Sequence, residues 1–409
     1  MTAIIDQGLF KGVAVVIDDG VDTEEDIKEI VTAIRSGGGH VVALKALPDP
    51  EADLENFSNA AFFIMDWNLK QTELGVKMPE ALVAAYVQEN IDFLKRLSKH
   101  RHAPVFIFTK EDVAVVEEAL APHSDLYRQS SDSHILIKSK ADVGNRVYEV
   151  LNEWAQTVPS VATLKAWERN HSAALNALFV DFHDRTPYWP VLLWQTFKDD
   201  GVPAGEELGR LITRLVASRM KPLQVDLQRF EEMVSKVHAD DEDGYHQALR
   251  SVLEGERLLT NDRIDGASVA PGDLYEEDKD GVKSYFLNIR AECDCVIRSG
   301  NRNPMLHLLK GRVEKQPQIN PTYANLVEND NEVIIFSMYK GQTLRFGFKE
   351  VKQERWNAMK ARRVGRLLSP FITRVLQRYA SYSQRPGLAR LPSVFLPKPV
   401  TENESPPHE

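Results

Sequence analysis

The most constraining feature of this 409-residue sequence is an apolar run that ends in a carboxylate. Four apolar residues, Phe62 to Met65, lead directly into Asp66, and polar residues follow. A continuous apolar run of this length is typical of a strand that is buried on both faces of a parallel sheet. Ligands of such sheets bind just beyond the carboxyl ends of the strands, so the sequence predicts that Asp66 lies where a site would form.

Three other predicted strands also end in polar residues. The strand at 13–17 ends in Asp18 and Asp19, the strand at 104–108 ends in Thr109, and the strand at 134–137 ends in Lys138. With a further strand at 41–44, these strands alternate with helix signals, which predicts an α/β fold with a parallel sheet. The order of the elements fits the flavodoxin-like 2-1-3-4-5 arrangement, in which the strand ends meet at one edge.

Paired acids, a single acid, a hydroxyl and a lysine, in this order at strand ends, make one set. The set resembles the receiver domain of two-component response regulators, and the resemblance covers roughly residues 10 to 153. It implies that Asp66 is the phosphoacceptor and that the cofactor is Mg²⁺, because a phosphoryl group beside carboxylates needs a divalent cation.

The same resemblance assigns roles to the other members of the set. It implies that Asp19 and Asp66 bind the metal directly, Asp18 through water and Asn68 through its backbone carbonyl. It also implies that Thr109 and Lys138 bind the phosphoryl oxygens, the lysine as a point charge.

Three positions depart from the family pattern. Ser139 follows the predicted lysine where the family has Pro, Ile135 stands at the family's aromatic switch position, and Lys110 follows Thr109 where a small residue is preferred. These departures favour an alternative, a pseudo-receiver that works as a scaffold independently of phosphorylation. The intact acids and Lys138 favour phosphotransfer.

The rest of the chain predicts two further regions beyond a receiver at 1–155. Helical periodicity without strand alternation predicts a helical domain at 161–260. Hairpin signals around 280–281 and 340–341 predict an α+β domain at 265–396 with a small antiparallel β-barrel or curled sheet. Two helices are predicted to close it, the earlier one containing Val364, Leu367 and Leu368, and the tail at 397–409 is predicted to be disordered.

The C-terminal region is basic. No acidic residue occurs between Arg355 and Thr401, and the candidate contacts to a polyanion or to an acidic receiver are Arg362, Arg363, Arg366, Arg374 and Arg378. The net charge of −10 would repel DNA at long range, so we expect a dock within the chain or between copies, and non-specific nucleic-acid binding is a second alternative. The run 363–372, with Gly272 and Asp273 before it, resembles the C-terminal part of receiver-bearing proteins of bacterial anti-phage loci.

Composition bounds the function. A hydrophobic content of 43% with 27% charged residues is ordinary for a globular protein, and no apolar run approaches the ~18 residues of a membrane span. With no signal peptide and two cysteines, a cytoplasmic location is expected. We therefore expect a two-component signalling protein, not an enzyme apart from its own phosphorylation and dephosphorylation. Its phosphodonor would be a histidine kinase or a related ATPase, and its oligomeric state is left open.

Overall fold

The chain folds into two compact units in the computed structural model. One unit comprises residues 1–192 and 208–237, and the other comprises 193–207 and 238–409. The helices predicted as a separate domain over 161–260 are therefore divided between the two units. The structure describes residues 8–50, 54–57, 60–69, 79–100, 104–128, 133, 135–228, 230–231, 234, 242–298, 300–315, 326–329, 331–387 and 392–395.

The first unit contains a five-stranded parallel sheet. Its order is β2-β1-β3-β4-β5, which confirms the predicted flavodoxin-like arrangement. The strands are β1 (Val13–Ile17), β2 (His40–Leu44), β3 (Ala60–Met65), β4 (Val105–Thr109) and β5 (Ile135–Ser139).

Helices cover both faces of this sheet, as the apolar strands predict. The helices are α1 (Glu25–Ser36), α2 (Glu80–His100), α3 (Val113–Leu120), the short α4 (Lys140–Val143) and α5 (Val147–Ala155). Alternate side chains of each strand face opposite sides of a sheet. Phe62 and Ile64 therefore pack in the cluster that contains α1 and α5, whereas Phe63 and Met65 pack in the cluster that contains α2 and α3. All six residues of β3 are buried.

Three longer helices follow the sheet in sequence. They are α6 (Pro159–Arg185), α7 (Trp189–Asp199) and α8 (Ala204–Ala217). In the first unit, α6 and α8 pack through a small apolar cluster that contains Ala174, Leu178 and Val216. Arg219 adds an ion pair with Asp181 of α6 at 3.0 Å. No helix among the described residues is long and apolar enough to cross a membrane.

The second unit contains an eight-stranded antiparallel sheet in the order β10-β11-β12-β9-β8-β7-β13-β6. This bears out the predicted curled antiparallel sheet. The strands are β6 (Leu258–Thr260), β7 (Asp273–Lys279), β8 (Val282–Asn288), β9 (Met305–Val313), β10 (Leu326–Asn329), β11 (Glu332–Tyr339), β12 (Gln342–Arg355) and β13 (Arg363–Leu367).

Period-two alternation gives this sheet two apolar faces. Leu274 and Leu287 face one cluster, which includes Phe371 of the last helix, and Tyr275 and Phe286 face the other, which includes Trp356. The helices of this unit are α9 (Glu242–Arg257), α10 (Glu292–Cys295), α11 (Trp356–Met359) and α12 (Phe371–Ser383).

The predicted helix around Val364, Leu367 and Leu368 is wrong. Residues 363–367 form β13, which pairs with β7 on one side and with the edge strand β6 on the other. Gly365 lets the strands approach closely, because a Cβ there would lie 2.7 Å from the carbonyl oxygen of Leu259. The later predicted helix is confirmed as α12. The predicted disordered tail at 397–409 lies outside the described residues.

Candidate functional site

Three carboxylates lie together at the carboxyl edge of the parallel sheet. Ile17 of β1 is paired with Met65 of β3, so the residues that follow, Asp18 and Asp66, leave the sheet side by side. Carboxylate oxygens of Asp18, Asp19 and Asp66 lie within 4.8 Å of one another. Asp18 and Asp66 are buried, at 0% and 2% exposure, and Asp19 is half-buried.

The lysine at this cluster is Lys140, which the sequence analysis missed. Its Nζ lies 2.8 Å from Asp18 Oδ2 and 2.7 Å from Asp66 Oδ2, and its side chain is 1% exposed. The predicted phosphoryl-binding lysine, Lys138, is an exposed residue within β5. The assignment of Lys138 to the acid cluster is therefore corrected to Lys140.

Lys138 was assigned in place of Lys140 because β5 is longer than the sequence predicted. The strand was predicted to end at residue 137, but pairing with β4 continues it to Ser139, which lies opposite Thr109. Lys140 is therefore the first residue beyond the strand, and its side chain turns to the acids. On the neighbouring strand, Lys110 likewise follows Thr109, the last residue of β4. The pairs Thr109-Lys110 and Ser139-Lys140 are thus aligned, and this similarity in the sequence was a signal for where β5 ends. The assignment of the neighbouring switch position to Ile135 rested on the same misplaced lysine.

At this edge of the sheet, burial and the neighbouring charges shift the pKa of each ionisable group in opposite directions. Burial raises the pKa of Asp66 to about 6, although Lys140 lowers it. Burial likewise raises the pKa of Asp18 against the effect of Lys140. Burial alone would lower the pKa of Lys140, but Asp66 and Asp18 raise it. The lysine therefore stays charged while the acids around it remain in excess, and such a site attracts a further cation.

Thr109 and Asn68 lie at the same edge. Thr109 is buried and ends β4, the neighbour of β3, and its Oγ1 accepts a hydrogen bond from Glu111 N at 3.0 Å. The backbone N–H of Asn68 donates to Asp66 Oδ1 at 3.4 Å, and its side-chain Nδ2 donates to Glu111 Oε1 at 3.2 Å. The loops after β3 and β4 are thus joined beside the acids.

The donor set fits Mg²⁺. Carboxylate and carbonyl oxygens are the ligands this hard cation prefers. Asp18 Oδ2 is buried and lies 2.8 Å from Lys140 Nζ, an ammonium that it shares with Asp66 Oδ2, so the acids keep negative charge that a cation could neutralise. Asp19 provides a half-buried carboxylate at the open side of the cluster.

The C-terminal arginines have counter-charges within their own unit. Arg366 Nε donates to Asp273 Oδ1 at 2.6 Å, and Arg363 lies 3.7 Å from Asp273 Oδ2. Arg362 forms an ion pair with Glu277. The sequence suggested a polyanion or an acidic receiver as the counter-charge, but for these three arginines Asp273 and Glu277 of β7 supply it within the same unit.

The remaining two arginines lie on α12. Arg374 is exposed and Arg378 is half-buried. Both belong to the second unit.

Comparisons of the chain with models of protein families, with curated proteins and with solved structures found no match.

Proposed function

We propose that the first unit is a receiver domain, which accepts a phosphoryl group on Asp66 and thereby regulates the C-terminal part of the chain. The observation that carries this proposal is a buried lysine held between two buried carboxylates at the edge of a 2-1-3-4-5 parallel sheet. A buried charge cluster with excess acid is costly to maintain for stability alone. Its position is where open α/β sheets bind their ligands.

In this proposal Asp66 is the nucleophile. A carboxylate oxygen of Asp66 attacks the phosphorus of a phosphodonor, the new O–P bond forms, and the bond between phosphorus and the donor's leaving atom breaks with its electron pair going to the donor. Asp66 must be ionised to attack, and Lys140 stabilises that carboxylate at 2.7 Å. Lys140 is then close enough to neutralise charge on the transferred phosphoryl oxygens.

The residues proposed to hold Mg²⁺ are Asp19 and Asp66 directly, Asp18 through water and Asn68 through its carbonyl. When bound, the metal neutralises charge on the phosphoryl group during transfer. Thr109 is proposed to donate its hydroxyl to a phosphoryl oxygen. Its Oγ1 already accepts from Glu111 N, which leaves the hydroxyl proton available.

The proposed phosphodonor is a histidine kinase or a related ATPase, and the proposed setting is bacterial anti-phage defence. The second unit, with its antiparallel sheet, would be the output or interaction module. A phosphorylation-independent scaffold is the competing proposal. The observation that favours it is Lys110, which follows Thr109 and lies 3.0 Å from Glu24, where its side chain can restrict access to Asp66.

The experiment is to incubate the full chain with acetyl phosphate and Mg²⁺ and to measure acyl phosphate by intact mass. We expect modification of the wild type and none of Asp66→Asn. Lys140→Ala should retain Mg²⁺ binding but lose most of the modification, whereas the matched variant Lys138→Ala should behave as wild type. A wild type that binds Mg²⁺ yet stays unmodified, and that also fails to bind beryllofluoride, would favour the scaffold.

A further inference from the structure

Glu24 is a fourth acid at the site, and no metal or phosphoryl role was predicted for it. It stands directly before α1. Its Oε2 lies 3.3 Å from Lys140 Nζ and 3.0 Å from Lys110 Nζ, and its side chain is 18% exposed. One carboxylate oxygen thus joins the two lysines that flank the acid cluster.

The backbone leaves room for this contact at Gly20. A Cβ added to Gly20 would lie 2.4 Å from Glu24 Cγ and 2.9 Å from Glu24 Oε2. The Glu24 side chain therefore folds back over Gly20 to reach the lysines. Any side chain at position 20 would push the carboxylate away without changing its charge.

A phosphoryl group on Asp66 would compete with Glu24 for the same ammonium groups. Lys140 Nζ lies 2.7 Å from Asp66 Oδ2, so an anion attached to that oxygen would meet Lys140. Glu24 Oε2 already forms an ion pair with the same ammonium group at 3.3 Å. Two anions around one ammonium repel each other at this range, so the phosphoryl group and the Glu24 carboxylate favour different states.

We propose that Glu24 is a resident anion that holds Lys140 and Lys110 in the unphosphorylated protein, and that a phosphoryl group on Asp66 displaces it and recruits Lys110 as a second phosphoryl-binding cation. This inference rests on the proposed function. It gives Lys110 a role in binding, where the sequence alone presented it as a departure from the family pattern. Glu24 lowers the affinity of the site for the phosphoryl group, and Lys110 raises it once Glu24 has left.

The test measures the affinity of the full chain for beryllofluoride, a phosphoryl mimic, by titration calorimetry in saturating Mg²⁺. We expect Glu24→Gln to bind about tenfold more tightly, because one opposing charge is removed from a partly buried site. Gly20→Ala, which keeps the Glu24 charge but displaces it, should change affinity in the same direction. Adding Lys110→Ala to Glu24→Gln should weaken binding again by about fivefold.

The matched control is Asp26→Asn. Asp26 is an acid of the same helix that lies 3.9 Å from Lys110 but makes no contact with Lys140 in the described part of the chain. This variant should stay within about twofold of wild type, as expected for an exposed ion pair.

Two results separate the inference from the proposed function. If wild type binds beryllofluoride and Glu24→Gln binds equally well, the resident-anion role is wrong and the phosphoacceptor role stands. If neither wild type nor any variant binds beryllofluoride while all bind Mg²⁺, the phosphoacceptor role itself fails, and the role of Glu24 fails with it.

Discussion

Each unit of the chain buries a charge cluster. The two clusters have central groups of opposite charge, a cation among acids in one and an acid among cations in the other. In the first unit the buried ammonium of Lys140 lies among carboxylates, with Asp18 and Asp66 at 2.8 and 2.7 Å. In the second unit the buried carboxylate of Asp273 lies among arginines, with Arg366 and Arg363 at 2.6 and 3.7 Å.

The clusters differ in how fully their groups are satisfied. Asp273 accepts hydrogen bonds from Arg366 Nε, from Ala270 N at 3.1 Å and from the Tyr275 hydroxyl at 3.4 Å. Arg363 in turn donates to Asn261 Oδ1 at 2.7 Å and stacks over the Trp356 ring at 5.3 Å. At the acid cluster, by contrast, Asp18 and Asp66 share the ammonium of Lys140, and a third carboxylate, Asp19, lies within 4.8 Å of both.

This difference separates a structural ion network from a candidate site. A buried charge that is fully hydrogen-bonded fixes the packing of the strands around it, here β7 and β13. A cluster with excess negative charge has capacity left for a cation. The same buried-charge chemistry thus gives a balanced network in one unit and leaves an excess of negative charge in the other.

The largest expected effect follows from removing the centre of the arginine network. Asp273→Asn should lower the free energy of unfolding of the second unit by about 3–5 kcal/mol, because two arginines lose their buried counter-charge. Urea denaturation of the full chain, with the two units resolved as separate transitions, measures it. Asp280→Asn, the same change in an exposed turn, should stay within about 0.5 kcal/mol. Equal effects of the two changes would contradict the structural role of Asp273.

An intermediate effect is expected when the lysine of the acid cluster is removed. Lys140→Met should cost about 2–3 kcal/mol at pH 8 in metal-free buffer, less than a fully uncompensated charge costs, because the acids can take up protons. Lys138→Met, the matched change at an exposed position, should be near neutral. If Lys138→Met were the more damaging change, the placement of Lys140 would be wrong.

The pH dependence of the Lys140→Met effect has a definite sign. The pKa of Asp66 is about 6 in the folded protein, above its ordinary value, and that of Asp18 is also raised. Carboxyls of this kind favour the folded state at low pH, and that stability is lost as pH rises through the folded pKa. Loss of Lys140 raises both values further. The difference between Lys140→Met and wild type should therefore be larger at pH 8 than at pH 5.

The smallest expected effect concerns nucleic acid. Arg363 and Arg366 are held by Asp273, and the net charge is −10, so a mixed DNA and RNA ladder at low salt should not be retained by the wild type. Arg362, with a side chain that is 48% exposed, is the most accessible of the three. Retention that falls steeply with salt and is lost in Arg362→Ala would show phosphate binding and overturn this expectation.

Much of the first unit could be predicted from local pattern. Continuous apolar runs fixed β1, β3 and β4 as strands buried on both faces, and alternation with helices gave the parallel order. The acids Asp18, Asp19 and Asp66 follow from this, because residues that end neighbouring parallel strands meet at one edge. These properties depend on residues close together in the sequence.

Other features were decided only by tertiary structure. Whether Lys138 or Lys140 reaches the acids depends on where β5 stops, and its pairing with β4 sets that point. Residues 363–367 carry apolar positions that suit a helix, but pairing with β6 and β7 makes them a strand. The counter-charge of Arg366 lies 93 residues away at Asp273, and that of Lys140 lies 74 residues away at Asp66. Hydrogen bonding and ion pairing over such separations have no local periodicity, so the sequence alone determined the layers of the fold and the acids of the site, while long-range pairing determined which cations meet them.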